Sequence, residues 1–354
     1  MNSALAATIG LILSIILIIK KVSPVYSLIL GALTGGLLAG WGLENTVTEM
    51  ISGIKDITPA IIRILAAGVL TGMLVKTGAA SSISQAIIKK LGAKQIYLAL
   101  ALSAMLLTAI GVFIDVAVIT IAPIALIAGS QLRLSRAKLL IAMIGGGKCG
   151  NIISPNPNSI IAAENFNAPL PSVMAANIIP AIIGLLFTIY IIVPLLPKGT
   201  ILQPTEQIED NMRLPSLRSS VIAPIVTIVL LTLRPLFGII IDPLVALSAG
   251  GIIGIVATRN WHKTNDCLSY GLGKMSTIAI LLIGTGALAG VIKASTIKDI
   301  LINLLAGWSN GGTIMAPLSG TLMCAATAST TAGATIASAS FAQSILGAGV
   351  AAVW

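Results

Sequence analysis

The stretch GGGKCGNIISPNPNS, residues 145–159, places glycines, prolines, asparagines and a lysine inside a chain that is otherwise rich in Leu, Ile, Ala and Val. Glycine favours unwinding, and Pro155 and Pro157 lack backbone donors and disfavour the α conformation of the residue before them. A continuous helix is therefore not expected here. Broken backbone at membrane depth is tolerated only where protein buries it or where it lines a watery cavity. The stretch thus predicts a broken membrane helix over residues 139–160, with freed backbone groups available to a ligand.

The composition is that of a membrane protein. Of 354 residues, 56% are hydrophobic and only 9% are charged. Apolar runs close to the roughly 20 residues that cross a bilayer recur along the chain. These runs are 4–19, 24–41, 58–75, 95–129, 173–197, 219–237, 243–258 and 276–292. The predicted fold class is therefore an all-α polytopic membrane protein, with the lipid bilayer as its surroundings.

The charge and cysteine patterns exclude other classes. The net charge of +10 is spread over short loops, which fits control of membrane topology and not nucleic-acid binding. Cys149, Cys267 and Cys324 have no paired spacing, so neither a metal site nor a disulfide framework is expected. We expect no cofactor and no nucleic-acid partner.

Enzyme signatures are also missing. AMIGGGKC, residues 142–149, resembles a phosphate-binding loop only superficially. Ala142 replaces the first glycine of that motif, and Cys149 replaces the hydroxyl residue that would hold magnesium. His262 is the single histidine, so a histidine-based triad is excluded. The chain is not expected to be an enzyme.

The sequence also indicates an internal repeat. A shift of about 218 positions superposes Pro24 on Pro243, and GVLTGMLVK (68–76) on GALAGVIK (286–293). The loop charges invert between the halves. In the first half, a basic loop (Lys20 and Lys21) is followed by an acidic loop (Glu44, Glu49 and Asp56) and by a second basic loop (Lys76, Lys89, Lys90 and Lys94). In the second half, a weakly acidic loop (Asp242) is followed by a basic loop (Arg259, Lys263 and Lys274).

This pattern predicts an inverted-repeat secondary transporter. The first transmembrane repeat is assigned to 1–200, a cytoplasmic linker to 201–218, and the second, inverted repeat to 219–354. Counterparts of residues 137–197 are missing from the second copy. We therefore expect an incomplete second repeat, as in a C-terminally truncated product that lacks about two helices.

Residues 95–129 are too long for one ordinary span, and GVFID (111–115) interrupts them between basic flanks. The pattern predicts a helical hairpin or a re-entrant loop with Asp115 near its tip. Asp115 is the candidate for proton coupling. The alternative is a structural role as a cap or as an ion-pair partner of Lys148.

Lys148 costs roughly 2.5 to 3.5 kcal/mol at a bilayer centre and therefore needs a partner. That partner is an anionic substrate or Asp115, unless the lysine extends to the cytoplasmic edge. A half-helix N-terminus nearby would also attract a carboxylate. The candidate substrate-binding residues around Lys148 are Gly150, Asn151, Ser154, Asn156, Asn158 and Ser159. Their amides and hydroxyls can read hydroxyl groups, or they can instead satisfy the broken backbone.

A second polar stretch, ATASTTAGAT at 326–335, is the pseudo-equivalent of the GVFID interruption. Thr330 and Thr331, with Ser329, are further substrate-binding candidates. Serine and threonine in membrane helices often bond only to their own backbone, which is the alternative.

Three segments together resemble the gluconate permease (GntP) family, and the resemblance covers essentially the whole chain. They are AIGVFIDVAVITIAPIALIA (109–128), IGGGKCGNIISPNPNSIIAAENFNAPLPSVMAANIIPAI (144–182) and LLIGTGALAGVIKAS (281–295). The resemblance implies a multi-pass protein of the bacterial inner membrane with the fold of the ion transporter superfamily. It also implies proton-coupled import of gluconate or related hydroxy acids, including glycerate and, in one branch, D-serine.

The chain departs from the family pattern at two places. Gluconate carriers have histidines around the proline turn, where this chain has Cys149 or Gly150 and Asn156. They also have a glutamate at the position that Asp115 occupies in this chain. The expected substrate is therefore a small hydroxycarboxylate, and the expected coupling ion is H⁺. The alternatives are a sodium-coupled carboxylate transporter and an inactive, truncated membrane fragment. Homo-oligomer formation is left open.

Overall fold

The computed structural model describes residues 2–197, 199–201, 214–296, 311–327, 330–347 and 349, and these residues form helices without a β-strand. The helices before residue 200 are α1 (Ser3–Ile19), α2 (Pro24–Leu38), α3 (Gly42–Lys76), α4 (Ala79–Leu91), α5 (Ile96–Ala109), α6 (Ile114–Gln131), α7 (Arg136–Ile152), α8 (Pro157–Asn165), α9 (Leu170–Ala176), α10 (Ile178–Phe187) and α11 (Val193–Leu195). The later helices are α12 (Leu217–Ser220), α13 (Ile222–Phe237), α14 (Pro243–Ala257), α15 (Thr264–Ala294), α16 (Gly311–Thr327) and α17 (Thr330–Gly347). The all-α class is confirmed.

Four stretches of the described chain are helical, long and apolar enough to cross a membrane: Gly42–Lys76, Ile114–Gln131, Leu170–Leu195 and Trp261–Ala294. The pair Ala79–Leu91 and Ala93–Ala109, bent by 107°, adds a fifth if it counts as one span. Large apolar side chains on α10, such as Ile179 and Ile183, point out of the protein. Such exposed apolar surface suits contact with lipid tails.

The chain divides into two compact units. Unit 1 comprises residues 1–64, 160–170 and 276–354, and unit 2 comprises residues 65–159 and 171–275. Each unit therefore contains parts of both predicted repeats. The assignment of repeats to 1–200 and 219–354 stays a prediction, and most of the predicted linker, 202–213, lies outside the described residues.

The core of unit 1 joins α1, α2, α3, α15 and α17 through buried aliphatic side chains, among them Leu28, Leu288 and Ile336. Helices α1 and α2 approach closely at Gly10 and Gly31. A Cβ added to Gly10 would lie 2.3 Å from the carbonyl oxygen of Gly31. Small residues thus set the spacing of these helices, as is common in membrane proteins.

The core of unit 2 includes α5, α7 and α10, with Ala101, Ala142 and Leu185 buried between them. A Cβ added to Gly146 would lie 2.0 Å from the carbonyl oxygen of Ala101. The hydroxyl of Thr108 on α5 donates to the carbonyl of Gly147 at 2.8 Å. The glycines of α7 therefore let α5 pack directly against its backbone.

This packing corrects one expectation from the sequence. Residues 145–147 do not unwind, because α7 is helical through Ile152. Each glycine lowers helix propensity by about 1 kcal/mol. The close contact with α5 offsets that cost, and the helix breaks only after Ile152, next to the prolines.

The acidic residues that the sequence assigned to a loop are a second correction. Glu44, Glu49 and Asp56 all lie within α3, and the connection before α3 is only Ala39–Trp41. Glu44 lies in the first turn, where a carboxylate is favoured by the helix dipole. Charge alone marked these positions as a loop, but helix ends and cavity walls carry charge too.

Candidate functional site

The polar stretch forms a break between α7 and α8. Residues 153–156 lie between the last residue of α7, Ile152, and the first residue of α8, Pro157. Ser154 and Asn156 are buried within this break. The non-helical backbone is therefore enclosed by protein, as backbone at membrane depth must be.

The Asn156 side chain connects the two ends of the break. Its Nδ2 group donates to the backbone carbonyl of Asn151, to Oδ1 of Asn151 at 2.8 Å and to Oγ of Ser154 at 2.6 Å. Its Oδ1 atom accepts from the N–H groups of Asn158 at 2.8 Å and Ser159 at 3.2 Å. Asn156 thus caps the N-terminus of α8 and satisfies the end of α7.

Asn158 offers an acceptor on the same break. Its Oδ1 atom is buried and has no hydrogen-bond partner among the described residues. An unpaired buried acceptor costs about 1 to 3 kcal/mol. A donor that reached Oδ1 of Asn158, in the first turn of α8, would remove that cost.

The other candidates on these helices differ in accessibility. Lys148 is exposed on α7, and Asn151 is half-buried at its last turn. Ser159 is buried in the first turn of α8. Gly150 is buried, and a Cβ there would lie 2.0 Å from the carbonyl oxygen of Met105, so this glycine is needed for helix packing.

Asp115 lies in the first turn of α6, after the turn 110–113 that joins α5 to α6. Its Oδ2 atom is 3.5 Å from Nζ of Lys274, and the two side chains are 60% and 37% exposed. Lys274 and Lys76 both lie over the ring of Tyr270, with Nζ 5.9 and 4.9 Å from its centroid. The sequence did not indicate Lys274 as the partner, because it had assigned that residue to a loop.

Thr330 and Thr331 belong to unit 1, whereas the α7–α8 candidates up to Ser159 belong to unit 2. Thr330 is exposed and Thr331 is half-buried at the start of α17. The backbone carbonyl of Thr331 accepts from the hydroxyl of Thr335 at 2.6 Å. Ser329, the neighbouring candidate, lies outside the described residues.

The fold has a counterpart among solved transporters. The YdaH transporter of Alcanivorax borkumensis aligns with 88% of this chain and 75% of its own, with a TM-score of 0.57 and 14% sequence identity. Together with the long apolar helices, this likeness gives the chain the fold of a multi-span membrane protein. A family model described as GntP family permease matches residues 3–352. The chain belongs to this family, and it is a multi-pass inner-membrane transporter and not an enzyme.

Two relatives align with the chain to different extents. A Haemophilus influenzae protein named as an uncharacterized transporter is 51% identical over 349 residues, which are 98% of this chain and 83% of that protein. A high-affinity gluconate transporter of Escherichia coli is 25% identical over 236 residues, which are 63% of this chain and 51% of that transporter.

Proposed function

We propose that this protein is a secondary active transporter that imports gluconate or a related small hydroxycarboxylate, such as glycerate, by proton symport. Similarity to a gluconate transporter supports the substrate class. The observation that carries the proposal is the buried break between α7 and α8, where Asn156 satisfies the backbone while the buried Oδ1 atom of Asn158 has no hydrogen-bond partner among the described residues. A polyhydroxylated ligand supplies the donor that this atom needs.

In this proposal Lys148 attracts the carboxylate, and the amides and hydroxyls of the break select the hydroxyl pattern. Lys148 is exposed on α7 and precedes the break by five residues. Asn151, Asn158 and Ser159 contact the ligand. Gly150, Ser154 and Asn156 hold the local structure around these ligand contacts. Thr330 and Thr331, in unit 1, are proposed separately as substrate-binding residues.

Asp115 is proposed as the proton-coupling group. Oδ2 of Asp115 lies 3.5 Å from Nζ of Lys274, and protonation of Asp115 would remove the negative charge of this ion pair. Because both side chains are partly exposed, the pair contributes only about 0 to 1 kcal/mol of net stability. Protonation of Asp115 would release Lys274 and so change the relative stability of conformations that keep or break this pair.

Uptake measurements test the proposal. Vesicles that contain the full chain are expected to accumulate labelled gluconate or glycerate when an inward proton gradient is imposed, but not with a sodium gradient alone. Asp115→Asn is expected to abolish accumulation against a gradient while exchange of substrate across the membrane persists, because the proton site is lost but the substrate site is kept. Asp266→Asn, an exposed carboxylate at the start of α15, is the matched control.

Each other outcome changes a different part of the proposal. Uptake driven by sodium alone would identify the sodium-coupled alternative. Proton-driven accumulation by the Asp115→Asn variant would reject Asp115 as the coupling group. Uptake of neither acid under either gradient would reject the proposed substrate class.

Lys148→Ala is expected to reduce gluconate uptake at least tenfold without loss of folded protein, because the carboxylate loses its cation. Lys138→Ala is the matched control on the same helix, since Nζ of Lys138 donates to the carbonyl of Pro194 at 3.3 Å and is not assigned to the site. Initial uptake rates, normalised to folded protein in the membrane, measure the effect. Equal rates for the two variants would contradict a substrate role for Lys148.

A further inference from the structure

Unit 1 contains a cavity of about 280 Å³, and the residues of the break between α7 and α8 do not line it. Its walls come from α3, the end of α8, α15 and α17, and they include Asp56, Glu164, Asn165, Lys293 and Ser338. At about 30 Å³ per water molecule, the cavity has room for a small organic ligand. Its lining mixes charged, amide and hydroxyl groups, which is unlike the apolar packing around it.

The position of the cavity is fixed by close packing of two helices. A Cβ added to Gly53 of α3 would lie 2.1 Å from the carbonyl oxygen of Gly286 and 2.5 Å from the backbone nitrogen of Gly290, on α15. Asp56 and Lys293 each follow one of these glycines by three residues. The tight contact therefore holds the two charged residues in the same wall of the cavity.

Asp56 and Lys293 form an ion pair with Nζ and Oδ2 2.8 Å apart. The side chains remain 51% and 59% exposed. Exposed pairs of this kind contribute little net stability, because water solvates both groups almost as well. A second anion can therefore replace Asp56 beside Lys293 at small cost.

The other carboxylate of the cavity is held differently. Glu164 pairs with Arg63, and these side chains are only 29% and 22% exposed. An arginine–carboxylate pair in a less solvated position is stronger and geometrically fixed. Arg63 therefore neutralises Glu164. Lys293 is the cation of the lining to which an incoming anion can bind in place of Asp56.

Hydroxyl-reading groups lie on the same walls. Nδ2 of Asn165 donates to Oγ of Ser338 at 2.8 Å, which orients the amide. Ser340 is a further polar residue of the lining, beside Asn165 and Ser338. A carboxylate at Lys293 with hydroxyls at Asn165 and Ser340 is the pattern of a hydroxycarboxylate.

We propose that this cavity is a second binding site for the transported hydroxycarboxylate, in which Lys293 binds the carboxylate and the ligand displaces Asp56. The ligand class rests on the proposed function. All of its lining residues belong to unit 1, and none of them lies in the break at 153–156.

A thiol reporter in the wall localises the binding. Ala339 lines the cavity and is half-buried, so Ala339→Cys in a Cys324→Ser background provides a cysteine whose labelling a ligand can block. Gluconate is expected to slow maleimide labelling of this cysteine in the full-length protein. Glucose, which has hydroxyls but no carboxylate, is expected to leave the labelling rate unchanged.

On this background, substitutions of Lys293 and Asp56 are expected to shift the gluconate concentration for half-protection in opposite directions. Lys293→Gln is expected to raise the gluconate concentration for half-protection at least tenfold, which corresponds to about 1.4 kcal/mol. Asp56→Asn is expected to lower it severalfold, because the competing carboxylate is gone. Lys55→Gln, an exposed lysine next to Asp56 but outside the lining, is the matched control and is expected to leave it unchanged.

The outcomes separate this site from the proposed function. If gluconate protected the cysteine less well in both the Lys293 and the Asp56 variants, the ion pair would have only a structural role, and the proposed site would be wrong. Protection unchanged in Lys293→Gln, or absent in a protein that transports gluconate, would also overturn it while the proposed function stands. Protection that follows the expected signs in a protein without hydroxycarboxylate uptake would support the site and reject the proposed function.

Discussion

Replacement of Asn156 by alanine is expected to abolish uptake and to lower the free energy of unfolding by about 2 to 4 kcal/mol. The substitution removes the acceptor for the N–H groups of Asn158 and Ser159 and the donors to Asn151 and Ser154. Loss of an N-cap costs about 0.5 to 2 kcal/mol, and each buried polar group left unpaired costs about 1 to 3 kcal/mol. Partial relaxation of the break keeps the total below the sum.

Asn158→Ala separates the structural role from the binding role. Because Oδ1 of Asn158 has no partner among the described residues, its removal is expected to leave the unfolding midpoint within a few degrees of the unsubstituted protein while uptake falls. Thermal unfolding in detergent, with uptake normalised to folded protein, measures both effects. Wild-type stability of Asn156→Ala would contradict its role as the connector of α7 and α8.

The helical architecture could be read largely from the local composition. The apolar runs at 219–237 and 243–258 correspond to α13 (Ile222–Phe237) and α14 (Pro243–Ala257). Pro243 begins α14, and Asp242 caps it by accepting from the N–H of Leu244 at 2.8 Å. Such signals are local, since hydropathy and capping chemistry act within a few residues of chain.

The role of the glycines in α7 could not be read in this way. In isolation, a run of three glycines weakens a helix, which is why the sequence predicted unwinding there. What decides the outcome is the backbone of α5, which reaches within 2.0 Å of where a Cβ on Gly146 would lie. That neighbour is 45 positions away along the chain, and its distance is a property of the fold alone.

In the candidate sites, too, local features could be predicted from the sequence, whereas contacts between distant residues could not. The polar stretch identified Asn156 and Asn158 as chemically important, because amides and prolines are conspicuous in an apolar chain. The sequence did not indicate the pairing of Asp56 with Lys293, which are 237 positions apart, nor that of Asp115 with Lys274. Asp56 and Lys274 had been interpreted as loop charges, and only their positions on α3 and α15 show what they contact.

The packing of α3 against α15 in unit 2 leads to the second large expected effect. A Cβ added to Gly271 would lie 1.9 Å from the carbonyl oxygen of Gly68, and one added to Gly72 would lie 1.9 Å from that of Cys267. Contacts this short involve backbone atoms, which cannot rotate away. The two helices must therefore separate to accept any side chain at these positions.

Gly271→Ala is accordingly expected to lower the free energy of unfolding by about 1 to 3 kcal/mol, as overpacking of a tight interface does, and to reduce uptake with it. Gly273→Ala is the matched control two residues along the same helix, where an added Cβ meets no atom within 4 Å. Alanine there is expected to be neutral or stabilising, because it improves helix propensity by up to about 1 kcal/mol. Unfolding midpoints of the two variants in the same detergent measure the difference. Similar midpoints would mean that α3 and α15 separate easily, and the close approach of Gly68 and Gly271 would then not be what holds these helices together.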